Sequence, residues 1–437
     1  MKPITQRTLL ATAAALAAFQ AHSAGFQISE HSASGLGRAF AGEAAIADNA
    51  AVAVRNPAAM TMFDSAQVSG GLSFIQPDVD GKVNTASGVD TSNPAFTGMS
   101  ADHKDVAPDA IVPYLHYIRP IDEKMAIGFS TYSNFGLSTE YPTDSVAGSI
   151  AGQTELTTVD FNLNFAYKVA PQWSLGLGLN AVYAEAELNR QAGAALSTLN
   201  SVATYLTSPT DNVAHLKGDG WGFGWNAGAL WEIDENNRLG LGYRSEVDIT
   251  LEGDYRGIST ALTKPQQTVA GELELNLPDI FEISGFHQLN SSWALHYSAM
   301  RIGWSSFEEL KATSSDCTNW TVSPAETGEC LQKDEKWEDS WRYAVGATHY
   351  LNSQWTLRTG VAYDESPVKE EYRTLSIPDS DRTWYSIGAT YASSDALTID
   401  AGIAYLSGDS VTGSEDGFTF EAGGDAYIVS IGANYNF

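Results

Sequence analysis

Histidine, serine and acidic side chains are the groups with which this chain could do covalent chemistry, and their placement argues against it. An acyl-transfer site needs a nucleophile, a histidine base and a group that orients the base. Serine and threonine are abundant, but there are only 8 histidines in 437 residues. His116, His287 and His296 fall inside alternating stretches, and none lies near a Gly-x-Ser-x-Gly elbow. The paired acids Glu370 and Glu371 sit in a polar stretch, where solvation is the simplest account. No catalytic constellation is present, so neither enzyme activity nor a cofactor is expected. The two cysteines, Cys317 and Cys330, are close in sequence and flanked by loop-forming residues. In an exported protein they predict a disulfide across a surface loop. The metal alternative is weak, because two thiolates without a nearby histidine make half a site.

Charge narrows the partners. The formal net charge is −29, which makes nucleic acid a poor ligand and repels anions at long range. An anionic ligand would need a local cationic clamp. Export is read from the first residues. Lys2 and Arg7 form a positive region, Leu9 to Phe19 an apolar core, and Ala21-His22-Ser23 a small-x-small cleavage site. Cleavage before Ala24 removes two cations and no acid, taking the charge from −29 to −31. The apolar core is too short to cross a bilayer about 30 Å thick, and nothing later reaches ~18 consecutive apolar residues.

The elements that must carry any site have a period of two. Val159, Phe161, Leu163, Phe165 and Tyr167 share one face, with Asp160, Asn162, Asn164, Ala166 and Lys168 on the other. Such a strand, at ~3.3 Å per residue and tilted ~45°, rises ~23 Å. That matches the ~25 Å apolar band of an outer-membrane barrel. Ala170-Pro171-Gln172 is a tight turn, after which Trp173, Leu175, Leu177 and Leu179 alternate again. Further hairpins centre on Asp234 to Asn237, Asn290 to Ser292, Asn352-Ser353 and Ser393 to Asp395. Aromatics gather at strand ends, where interfacial girdles lie. A soluble β-sandwich alternates in the same way, but long strands, a leader and terminal tryptophans count against it. The last strand alternates through Tyr427, Val429, Ile431, Ala433 and Tyr435 to a terminal Phe437, an ending like the signal read by the barrel-assembly machinery. The fold expected is all-β: a membrane-spanning antiparallel barrel of about 14 strands.

Four longer segments are expected as extracellular loops: Ser138 to Leu156, Arg190 to Leu216, Tyr255 to Glu272 and Phe307 to Trp337. In the second, Leu196, Leu199, Val202 and Leu206 have helical spacing. They would either pack the loop on itself or present a binding face.

Before the barrel, Ala24 to Asp64 is rich in Ala, Gly and Ser and alternates nowhere. It is too small and polar to fold alone, so something must enclose it. The phrases GFQ, SGLGRAFAGE, AIAD and RNPA–MTMFD within it resemble the N-terminal hatch of the FadL family of outer-membrane long-chain fatty-acid transporters. The likeness continues at AHLKGDGWGFGWNAG, YRSEV, LNLP and SIPDSDR. It implies a leader over residues 1–23, a hatch or plug inside the lumen over 24–65, and the barrel over 66–437.

The resemblance also implies site residues. Arg190 and Lys333 would clamp a fatty-acid carboxylate, with Phe26 and Leu188 forming apolar pocket wall. Asn56, Pro57 and Ala58 would anchor the hatch, and Pro57 holds Asn56 extended so that its amide can bridge plug and wall. Gly136 would mark a kink in the third strand, with Ala110 and Ser133 lining a gap in the wall. Fatty acid would displace Phe26, shift the hatch and leave sideways into the membrane. Relatives of this fold take up aromatic or aliphatic hydrocarbons, which need no cation; a structural or receptor barrel is the third reading. The implied protein is a monomer in the Gram-negative outer membrane, among its lipids and lipopolysaccharide. The cysteine-bearing loop and the length of the loop after Arg190 depart from the family pattern.

Overall fold

The structure, a computed structural model, describes residues 25–86, 99–199, 203–260, 267–319 and 325–437. The expected leader, Ala24 and Val202 lie outside them. Fourteen antiparallel wall strands close into a barrel. They are β1 (Gln67–Ala86), β2 (Ala110–Pro120), β3 in two parts (Met125–Tyr132 and Gly136–Glu140), β4 (Gln153–Ala170) and β5 (Trp173–Gln191). Then come β6 (Asn212–Glu232), β7 (Asn237–Arg244 and Val247–Gly257), β8 (Val269–Leu277 and Ile280–Asn290) and β9 (Trp293–Ile302 and Glu309–Asn319). The circuit finishes with β10 (Glu326–Asp334 and Ser340–Tyr350), β11 (Trp355–Asp364), β12 (Arg382–Ala392), β13 (Leu397–Gly408 and Val411–Glu415) and β14 (Phe418–Asn436). Closure is complete, with β14 paired to β1 from Gln67–Asn436 to Ala86–Phe418. The seam between last and first strand thus leaves no edge, where unpaired backbone groups would be costly in lipid.

Alternation decides which face meets lipid. Leu163, Leu177, Leu179 and Phe223 point outward and are exposed, while Asn162, Asn164, Asn180 and Asn226 are buried inside. Stacked aromatics bound the apolar belt: Trp173 on Trp231 near the turns, and Tyr385, Tyr405 and Tyr427 in a row near the loops.

Residues 25–64 occupy the lumen. Ala50 N donates to Ser69 on β1, Ala33 N to Tyr114 on β2, and Ala44 N to Ser284 on β8. Arg342 on β10 donates to Ala39 O, and Asn164 on β4 to Ala53 O. One short segment can reach walls on all sides only from within. Its helices are single turns, α1 (Ala33–Leu36) and α2 (Val52–Arg55), followed by a 3-10 turn at Pro57–Met62. Ser32 caps α1 by accepting from Gly35 N at 3.0 Å. Helices this short have no stability of their own and hold their shape against the wall. Wall glycines permit the close fit: a Cβ at Gly240 would collide with Ala44 O, and one at Gly360 with Arg38 O.

Three expectations need correction. Phe307 to Trp337 is not a loop. It contains a hairpin that prolongs β9 and β10, laddered from Glu309–Asp334 to Asn319–Glu326. Leu310, Ala312 and Leu331 are its few apolar side chains besides the cysteines, too few for an alternation to announce it; pairing of Glu272 with Thr313 continues the wall there. The other three loops are shorter than expected for the same reason, since β3 to β8 run on past the apolar belt. The helix after Arg190 is the single turn Leu196–Leu199, packed with Leu206 on Ala192, Ala203 and Val213 of its own loop.

Candidate functional site

Two cavities lie on the loop side of the N-terminal segment and share Leu188 and Leu310 in their walls. The deeper holds about 700 Å³ of empty space, mouth included. Leu137, Leu156, Leu251, Leu275 and Phe307 line it, Phe26 forms one end, and Glu155, Glu187 and Lys217 also border it. Wall strands that alternate supply one inward side chain every second residue, which is why leucines from seven strands can build one apolar surface.

The outer cavity holds about 1310 Å³, mouth included, and brings Arg190 and Lys333 together. Arg190, near the end of β5, is 7% exposed. It donates to Gln153 O at 2.8 Å, Asn189 O at 3.0 Å and Thr154 Oγ1 at 3.0 Å. All three partners are neutral, and Arg190 has no ion pair among the described residues. Lys333 on β10 pairs with Glu415, whose other oxygen accepts from Leu375 N at 3.1 Å. Glu335 also lines the cavity and accepts from Trp337 Nε1 at 3.1 Å. Burial pushes its carboxyl up to about 8, against the pull of Lys333 and Arg190. At neutral pH it is therefore an uncharged acid. Two cations then face one buried carboxylate, and the exposed Asp416 at the rim is screened by water. The interior of the cavity carries one positive charge without a partner.

Phe26 is 2% exposed and sits in an aromatic box. Its ring lies 4.5 Å from Trp304, 5.4 Å from Phe307, 5.7 Å from Trp337 and 6.0 Å from Phe135. Phe135 belongs to the break in β3. Tyr132 pairs with Asp160 and Gly136 with Thr157, so three residues of β3 oppose two of β4. This is a bulge, and it lies at Ser133 to Phe135, with Gly136 opening the resumed strand. Thr158 spans it, accepting from Phe135 N and donating to Phe135 O. Ser133 Oγ donates to Thr158 O. On the other side, β2 pairs with β3 only from Leu115–Thr131 to Pro120–Ala126. Ala110, buried and paired with Ile75 of β1, lies beyond the end of that ladder. The N-terminal segment is bonded to the bulge. Ile28 N donates to Asn134 O at 2.8 Å, and Gly136 N donates to Phe26 O at 2.7 Å.

At the other end of the segment, Asn56 Nδ2 donates to Ala44 O at 2.6 Å and to Ala229 O on β6 at 2.9 Å. Its Oδ1 accepts from Ala58 N at 3.1 Å, starting the turn that Pro57 opens. A Cβ at Gly228 would collide with this amide.

Cys317 and Cys330 form a disulfide between the paired strands of the β9–β10 hairpin rather than across a loop. Cys330 borders the outer cavity three residues before Lys333. Glu335, Glu415, Trp304 and Trp337 were missed. Each lies outside the alternating belt, and only the meeting of distant segments makes it part of a site.

The family described as "Outer membrane protein transport protein (OMPP1/FadL/TodX)" matches residues 14–437. A long-chain fatty acid transport protein of Escherichia coli O6:H1 is 42% identical over 463 residues, covering 100% of this chain and 99% of that protein. A 47 kDa outer membrane protein of Pasteurella multocida is 41% identical over 445 residues, covering 99% and 98%. Among solved structures, a Pseudomonas aeruginosa FadL homologue superposes with a TM-score of 0.80 at 23% identity, covering 95% of this chain and 100% of that one. The Pseudomonas putida toluene transporter TodX gives 0.66 at 15% identity, covering 96% and 99%. The chain belongs to this family and is a transport barrel of the Gram-negative outer membrane.

Proposed function

We propose that this outer-membrane transport barrel takes up long-chain fatty acids, bound first by the carboxylate and then by the chain. The observation that carries the reading is the shared cavity of Arg190 and Lys333, whose walls run into an apolar chamber ending at Phe26. A buried carboxylate is costly unless paired, and the one uncompensated cation supplies the pairing. The E. coli relative is named for the same class of substrate. In this reading residues 1–23 are a cleaved leader, 24–65 a hatch and 66–437 the barrel. The monomer is the working unit.

Magnitudes favour gating by the ligand. Phe26 is held by about 1.5–3 kcal/mol of ring burial, and the two backbone bonds at the bulge add about 1 kcal/mol each. Each methylene placed in the chamber contributes about 0.8 kcal/mol, so roughly six suffice to displace the ring. Release of Phe26 and Ile28 would free the gap beside Ser133 and Ala110. The chain would then leave sideways into lipid, which an apolar tail favours over a water-filled pore.

The apolar chamber alone would also suit a neutral hydrocarbon. The two readings separate on charge. In Arg190→Ala/Lys333→Ala, oleate affinity should fall about 10–100-fold, from loss of charge-assisted bonds of about 1.5–3 kcal/mol, while dodecane uptake stays unchanged. Unchanged oleate affinity would sink the clamp.

A further inference from the structure

A third cavity lies on the opposite, turn side of the N-terminal segment and holds about 770 Å³ with its mouth included. Arg38 and Asp48 reach it from the segment, and Arg238, His296, Tyr350 and Arg358 from β7, β9, β10 and β11. In so acidic a protein, three guanidinium groups around one chamber call for an explanation. Arg38 pairs with Glu43 and Asp48, each at 2.6 Å, and Arg358 reaches Asp48 at 3.3 Å. Arg238 has no ion pair among the described residues. Its guanidinium lies 4.1 Å from the centre of the Phe286 ring, and the nearby Glu232 is taken by Lys168 at 2.8 Å. Arg238 is thus the guanidinium left without a carboxylate inside the cavity, the remaining acid of the lining, Glu235, being exposed to water.

Hydrogen bonding points the same way. Arg38 Nε, Arg238 Nε, Arg358 Nε and His296 Nδ1 are all buried without a partner. Arg38 and His296 are themselves only 1% and 2% exposed. Buried donors in native proteins are almost always satisfied, and four unsatisfied nitrogens on the residues of one polar cavity need an acceptor. Glu235, at the mouth on the turn before β7, is exposed and forms no ion pair among the described residues. Its charge and that of Asp48 would penalise a dianion such as phosphate and tolerate a monoanion.

We propose that this turn-side cavity is a second anion site, built for the carboxylate of a small amphiphile and independent of Arg190 and Lys333. Only the identity of the amphiphile as a fatty acid rests on the uptake reading. If both hold, the lumen offers a carboxylate station on each side of the N-terminal segment.

The test uses full-length protein in a non-ionic detergent and carboxyl-labelled butyrate followed by NMR; its propyl tail is too short to fill the apolar chamber. Butyrate should bind the native protein and the Arg190→Ala/Lys333→Ala variant equally. Arg238→Gln should weaken it about tenfold, while Arg238→Lys, which keeps the charge, should stay within about threefold. Equal concentrations of inorganic phosphate should not displace it. Gel migration of the unheated protein identifies a folded barrel. Should Arg238→Gln fail to fold, Glu235→Gln on the exposed turn provides the opposite reading: butyrate affinity about threefold higher and phosphate now competing. Butyrate binding that ignores both variants, or that disappears with the loop-side double variant, overturns the proposal. Failure of the native barrel to take up oleate would count against the fatty-acid reading and leave this site standing.

Discussion

The N-terminal segment is held in two different ways at its two ends. From Ala33 to Met60 it is locked: ion pairs at Arg38, the double bond of the Asn56 amide, and wall glycines that admit no side chain. From Phe26 to Ile28 it is lodged by an aromatic box and two backbone bonds to a bulged strand. The locked end faces polar walls, where unpaired groups would be penalised if it moved. The lodged end faces an apolar chamber, where a hydrocarbon chain can take the place of the ring at little cost. Under the proposed uptake, a gate would need only a few residues to move, and the rest of the segment could stay as a plug.

The largest effect should come from breaking the locked end. Gly240→Val would drive a branched side chain into Ala44 O. Overpacking of this kind costs about 1–3 kcal/mol, enough to shift a seating equilibrium by about five- to 150-fold. Cells carrying the variant should admit a large hydrophilic antibiotic that the native barrel excludes, with the folded barrel still present in the membrane. Unaltered antibiotic exclusion would mean that the wall, and not the segment, blocks the lumen.

A smaller and more selective effect is expected at the lodged end. Deleting Asn134 leaves two residues of β3 against two of β4, so the ladder from Tyr132–Asp160 can run straight into Gly136–Thr157. The carbonyl that receives Ile28 N disappears with it. Oleate binding should stay within about threefold, while transport slows about tenfold, equivalent to about 1.4 kcal/mol on the barrier. Transport at the native rate through a straightened strand would remove lateral exit from the mechanism.

The contrast between the ends was only partly legible in the sequence. Strand periodicity, the strand number and the closing strand could be read directly, because lipid on one side and a packed lumen on the other force strict alternation. Above the membrane both faces of a strand are wet, the alternation lapses, and the hairpin with Cys317 and Cys330 read as a loop. Phe26, Arg190 and Lys333 were named through family likeness; their residue types alone do not distinguish them from other loop cations or buried rings. Glu335 carried no signal at all. An acid in a polar stretch reads as solvated until the fold sets Trp337 over it and Arg190 nearby.

Glu335 supplies the smallest prediction, and one that bears on how firmly ligand can compete for the lodged end. Burial raises its carboxyl to about 8, so it is protonated at neutral pH. A bound carboxylate favours that protonated form, so binding and protonation reinforce each other. As pH rises through 8 the acid ionises in the free protein, the cavity loses its excess positive charge, and the ligand anion is repelled. Linkage limits the loss to about tenfold at pH 9, one unit above the free value. Oleate affinity should therefore be nearly flat from pH 6.5 to 7.5 and decline toward pH 9, with a Glu335→Gln variant flat throughout, as read by equilibrium binding in detergent. The amide keeps the neutral shape and removes the proton, so a variant that still declines over the same window would place the titrating group elsewhere.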